Sequence, residues 1–302
     1  MVAADMLTYE KIYFALWEAG QRYGSFVQFR VIGKSHDERM IPMLEIGKGQ
    51  TCVFCLAGME GWDRQMPEVL VRMTEEYCRA YECGWKLDEF YEVQRLLDQI
   101  RICMIPVLNP DGYEICRRGY PAVRNPIYRQ MLQMQNIPYE EFSGNARGVC
   151  ISGNFPARGC VRRRISQEPA SENETKALIR IFQEYCSRGL LSFSQMEKRI
   201  LYYRKPQGVS YNQRTYRLAR HLKNKTKYRL LNESVRRSER HGDSFYGSGS
   251  AEQFYGEITR QPALVVQLPP QPPDRVQNTE RISQDYDEIH TLPLEYIFSL
   301  LE

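Results

Sequence analysis

Helical stretches alternating with short apolar segments predict an α/β fold with a largely covered sheet. Two runs carry that expectation: Thr51–Ala57 and Ile100–Leu108 are almost continuously apolar, as strands buried on both faces are. A third run, Ala263–Leu268, repeats the pattern near the end of the chain. Between them, apolar residues recur at i, i+3 and i+4, the spacing of amphipathic helices.

The elements follow in order. Leu7–Tyr23 places Tyr9, Ile12, Tyr13, Leu16 and Trp17 on one helical face. Val27–Ile32 alternates as a strand, His36-Asp37-Glu38 is its turn and Met40–Ile46 its hairpin partner. Met66–Tyr81 is helical, and Asn109-Pro110-Asp111-Gly112 is a strong turn. Ser171–Arg188 is a helix with Ser171 as its cap and Glu172 and Glu174 in its first turn. Leu190–Phe193 and Arg199–Tyr203 are strands around a loop, and Tyr211–Leu222 is helical. Arg236–Ser250 is a surface loop, Ala251–Glu257 a helix and Pro269–Pro273 a linker. Leu294–Leu301 is a short amphipathic helix opened by Pro293. The domain is expected over residues 1–273, with 274–302 as an acidic C-terminal extension.

Composition narrows the class. The chain has 302 residues, of which 42% are hydrophobic and 26% charged, an ordinary globular balance. No apolar run is long enough to span a membrane, and Met1–Glu10 lacks the charged and apolar regions of a secretory signal. Nine scattered cysteines suit free thiols in a reducing compartment, so a cytoplasmic location is expected. Cys52 and Cys55 lie three apart in a strand, on opposite faces, and so cannot share a metal. Net charge is +4, unevenly spread. Residues 203–242 hold 12 Lys and Arg against Glu233 and Glu239, while residues 274–302 hold seven acids against two Arg. A solvated basic face partly neutralised by the acidic tail, or a site for an anionic partner, accounts for this.

Several motifs are more specific. Val107-Leu108-Asn109-Pro110-Asp111-Gly112-Tyr113 and Asn145-Ala146-Arg147-Gly148-Val149, followed by Asn154-Phe155-Pro156, stand in fixed order with Val31-Ile32-Gly33-Lys34-Ser35 and Glu75-Glu76-Tyr77. Together these motifs resemble the zinc metallocarboxypeptidases, closest to the bacterial γ-D-glutamyl-diamino-acid peptidases of cell-wall turnover. The resemblance runs from about Leu7 to Pro270. It implies one domain with a twisted mixed sheet of about eight strands flanked by helices, and an active site at the C-terminal ends of the central strands.

The resemblance also implies positions for the chemistry, and the residues there depart from it. The His-x-x-Glu pair of zinc ligands falls on Glu60 and Asp63, within Gly58-Met59-Glu60-Gly61-Trp62-Asp63-Arg64. The third ligand falls on Ser194 and the general base on Gln267. Cys150 stands where an aspartate would orient a ligand histidine, and Ser152-Gly153 where an Asn-Arg pair would bind a substrate carboxylate. Arg147 matches the oxyanion-stabilising arginine, Tyr246 the mobile tyrosine, and Glu252 the specificity position, which would favour a cationic group. The histidines, His36, His221, His241 and His290, fall at none of these positions.

The expected protein is therefore a pseudopeptidase with a cleft for a peptide or peptidoglycan fragment and no cofactor. A hard-cation site on Glu60, Asp63 and Ser194 is a lesser expectation than pairing of the carboxylates with Arg64 or Arg147. Cys150 has no histidine partner and reads as an inert thiol. The alternatives are an active zinc peptidase with a rearranged metal site, and a binding module for an anionic polymer through residues 203–242.

Overall fold

The structure, a computed structural model, describes residues 7–158, 168–202, 208–232, 249–269 and 279–302. The first half runs α1 (Tyr9–Arg22), β1 (Val27–Lys34), β2 (Met40–Ile46), β3 (Thr51–Leu56), α2 (Gln65–Cys83), β4 (Lys86–Leu87), β5 (Tyr91–Glu92), α3 (Val93–Gln99), β6 (Ile100–Ile105), α4 (Pro110–Arg118) and α5 (Pro126–Gln133). The second half runs α6 (Asn173–Glu184), β7 (Ser187–Gln195), β8 (Arg199–Tyr202), α7 (Val209–Thr226), β9 (Arg229–Asn232), α8 (Ala251–Thr259), β10 (Ala263–Leu268), α9 (Thr279–Ile289) and α10 (Leu292–Leu301).

Eight strands form one mixed sheet in the order β1-β2-β6-β3-β7-β10-β8-β9. β6, β3, β7 and β10 are mutually parallel; β2 and β8 join them antiparallel on the two sides, with β1 antiparallel to β2 and β9 parallel to β8. This is the mixed α/β sheet expected. The four parallel strands are buried on both faces, which explains their apolar runs. Alternation along β3 sends Val53 and Cys55 to one core and Cys52, Phe54 and Leu56 to the other. The described cysteines are all free thiols. No helix among the described residues is long and apolar enough to cross a membrane.

Three local expectations are corrected. Asn109-Pro110-Asp111-Gly112 does not turn the chain back but opens α4. Asn109 Oδ1 accepts from the Gly112 N–H at 2.9 Å, and Pro110 occupies the first turn. Long-range bonds fix the choice: Asn109 Nδ2 donates to the carbonyls of Met59 and Gly144, both at 3.1 Å. Ser171 does not cap α6, which starts at Asn173; its hydroxyl donates to Glu172 Oε1 at 2.7 Å. The acidic tail also enters the main core. Leu292, Leu294, Tyr296 and Ile297 of α10 are buried there, and Tyr296 Oη donates to the Pro262 carbonyl at 2.8 Å.

Candidate functional site

The parallel strands β3, β6, β7 and β10 end on one side of the sheet, and the chain that follows β3 folds over that edge. Gly58, at φ +62°, lets it turn; a side chain there would crowd the Pro106 carbonyl. The turn delivers Glu60 and Asp63, 3% and 1% exposed, into the strand ends. Neither carboxylate pairs with Arg64 or Arg147, contrary to expectation. Ser152 Oγ donates to Glu60 Oε1. Burial pushes the Asp63 carboxyl well above its ordinary range; the Met66 and Gly58 N–H groups offset this in part, and the charge of Glu60 reinforces it.

On the neighbouring strands, Ser194 and Gln267 are paired across β7 and β10. Gln267 Nε2 donates to Ser194 Oγ at 3.1 Å, and Gln267 Oε1 accepts from Arg199 Nε at 2.6 Å. Arg199 is largely buried and reaches from β8, with Glu197 3.3 Å from its Nη1. Gln195, one residue past Ser194, faces the Glu60–Asp63 segment: its Oε1 accepts from the Arg64 N–H at 3.1 Å and its Nε2 donates to Gln65 Oε1 at 3.0 Å. Sequence reasoning missed Gln195 and Arg199. Their signal was a polar residue at the end of a parallel strand and a cation on the strand beside it.

The remaining predicted positions scatter. Cys150 Sγ lies 3.0 Å from Ser143 Oγ. Beside Gly153 there is open space, since a Cβ added there meets nothing within 4 Å. Tyr246 lies outside the described residues. Glu252 is fully buried rather than surface-exposed, in the first turn of α8. Burial pushes its carboxyl up, and the hydroxyls of Ser192 and Ser250 work the other way. Arg147 is directed to Glu172, with Nη1 3.3 Å from Oε1.

That last contact belongs to a second polar cluster. His36 Nε2 lies 3.1 Å from Glu172 Oε2, and Asn145 Nδ2 donates to Glu172 at 2.8 Å and to Glu174 at 3.2 Å. Among the described residues, His36, Glu172 and Glu174 are the one group of His, Cys, Asp and Glu whose ligand atoms fall within 4.8 Å of one another. Burial opposes ionisation of Glu172, but His36, Asn145, Ser171 and Arg147 outweigh it and hold the carboxyl at about 2. A depressed carboxyl stabilises the fold above its unfolded value and loses that contribution as pH falls. The denaturation midpoint is therefore expected to drop between about pH 4.5 and 2, and Glu172→Gln to flatten that drop. A Glu172→Gln profile as steep as wild type contradicts this.

Comparison with known proteins places the fold. A zinc carboxypeptidase family model matches residues 12–277. The chain belongs to the zinc carboxypeptidase family. Gamma-D-glutamyl-L-diamino acid endopeptidase 1 of Lysinibacillus sphaericus is 26% identical over 136 residues, 44% of this chain and 34% of that protein. The chain thus matches about a third of that relative's length. Bovine thrombin-activatable fibrinolysis inhibitor, solved with tick carboxypeptidase inhibitor, superposes with TM-score 0.73 at 13% identity, covering 98% of both chains. Carboxypeptidase A of Helicoverpa armigera gives 0.68 at 16% identity, covering 98% of this chain and 73% of its own.

The family's metal does not fit the residues at the strand ends. Structural and catalytic zinc sites are built from imidazole and thiolate with an occasional carboxylate. Here the strand ends offer Glu60, Asp63, Ser194 and Gln195, with neither imidazole nor thiolate among them. Ser152, Arg64 and Gln65 already occupy hydrogen-bonding positions on these side chains. Arg199 adds a positive charge at the general-base position, which disfavours a cation nearby.

Proposed function

We propose that this chain is a catalytically inactive zinc-carboxypeptidase-family protein that binds peptide ends or cell-wall peptide fragments without cleaving them. The observation that carries the reading is the Ser194–Gln267–Arg199 chain. Hydrolysis of this class needs a polarised water and a base to take its proton. Gln267 takes no proton near neutral pH, and both ends of its carboxamide are already bonded. What remains suits recognition. Arg147, about one-third exposed, has Nη1 on Glu172, and its exposed part offers a charge-assisted hydrogen bond to a ligand carboxylate. Glu252 is enclosed at the α8 N-terminus with both carboxylate oxygens lacking a hydrogen-bond partner among the described residues, so a ligand amine reaching it would supply one, and a diamino acid, as in the relative's name, carries a spare amine.

A rival reading, an active peptidase with a rearranged metal site, has the His36–Glu172–Glu174 group behind it. Against it, Asn145 and Arg147 already hold both carboxylates. Calorimetry with a γ-D-glutamyl-diamino-acid peptide separates the two. Binding is expected, with the peptide recovered intact, weakened about tenfold or more by Glu252→Gln. Release of the diamino acid, abolished by a chelator, supports the rival instead.

A further inference from the structure

We infer that the outer face of α7 is a docking surface for the phosphate backbone of a nucleic acid. The helix has 18 residues and not one Asp or Glu. Its inner stripe, Tyr211, Thr215, Leu218, Ala219 and Leu222, is buried. The opposite stripe presents Arg217, Arg220 and Lys223, with Lys227 just past the last turn, and all four are exposed. Spacings of three and four residues stack these cations one turn apart. From Arg217 to Lys227 the helix rises about 15 Å, the run of about four phosphates along one strand of a duplex.

Two acids near α7 are engaged by groups other than these four cations, one of them by His221 of α7 itself. Glu295 of α10 sits 3.6 Å from His221 Nδ1 and accepts from Tyr91 Oη at 2.5 Å. Glu288 of α9 accepts from Lys198 at 2.5 Å and from Tyr228 Oη at 2.7 Å. The acidic tail therefore does not neutralise this stripe. Among the described residues no carboxylate pairs with Arg217, Arg220, Lys223 or Lys227. Like charges one turn apart repel, and a polyanion relieves that repulsion.

The composition of the face selects the polyanion. A membrane surface calls for apolar side chains beside the cations. The other exposed residues along this face are Gln213, Tyr216 and Asn224, and its one aliphatic, Val209, stands alone at the first turn, away from the cations. Two guanidiniums favour bidentate contact with phosphate oxygens. The surface uses no residue of the strand-end site, so its test is independent of the function proposed above.

Fluorescence anisotropy of the full chain with a labelled mixed-sequence DNA duplex tests the inference. Four phosphate contacts predict a log–log salt slope of about −3.6, hence about 150-fold weaker binding at about 200 mM than at about 50 mM salt. Arg217→Glu with Arg220→Glu is expected to weaken binding by about tenfold or more and to bring the slope near −1.8, by the same rule of about 0.9 per contact. Arg217→Gln with Arg220→Gln, which adds no acid, gives the same slope should the reversed pair fail to fold. No binding at the lower salt, a slope near zero, or neutralised variants that bind like wild type overturn the proposal. Binding to phosphatidylserine vesicles without binding to the duplex also overturns it.

Discussion

Tyr296→Ala is expected to lower the unfolding free energy by about 4 kcal/mol, among the largest single-residue losses this fold can show. The ring is fully buried in the main core, and its hydroxyl bonds the Pro262 carbonyl. It lies directly over Gly189 of β7, where any Cβ would overlap it. Truncation removes the ring, leaves a cavity against the central sheet and takes one of two donors from the Pro262 carbonyl, which keeps the Leu190 N–H at 3.0 Å. Tyr296→Phe isolates the last effect and is expected to cost only about 1 kcal/mol. Denaturant titration of both variants checks this. A loss below about 1 kcal/mol for the alanine variant would mean that α10 is not part of the cooperative unit.

Arg39→Ala is the second large effect, at about 3–5 kcal/mol. Its guanidinium is 5% exposed and bridges two buried acids, with Nη1 2.7 Å from Asp37 and 2.9 Å from Asp111. Nη2 donates to the Ala122 carbonyl at 2.7 Å. Removing it leaves two carboxylates in a low-dielectric site with only hydroxyl and backbone donors. Because Asp111 stands in the first turn of α4, the loss propagates to the Asn109 cap beside the strand ends. Asp111→Asn in the Arg39→Ala background is expected to recover part of the loss, since one uncompensated charge goes. Additive losses in that double variant contradict the account.

The central strands were legible because burial on both faces writes a continuous apolar run, as in Thr51–Leu56 and Ala263–Leu268. β9 was not legible: it is four residues long, half-exposed and without alternation. α5 escaped for a related reason, since only Leu132 is buried along it. Asn109-Pro110-Asp111-Gly112 suits a turn and a helix start equally, and the decision lies with Met59 and Gly144, far away in the chain. The site positions became readable only through the resemblance. What occupies them was not, because the contacts that fill the site, Glu60 with Ser152 and Gln267 with Arg199, join residues 92 and 68 apart. Glu252 shows the same limit: a glutamate in a first turn looks solvated until the fold buries it.

In the proposed reading, the chain keeps the frame of a zinc carboxypeptidase without a zinc site at the strand ends. Calorimetric titration of the metal-stripped chain with zinc, repeated on Glu60→Ala with Asp63→Ala, tests it most directly. The account predicts no stoichiometric binding that depends on Glu60 and Asp63, and no peptide hydrolysis at saturating zinc. One equivalent of zinc, lost in the double variant together with a peptidase activity, would contradict it.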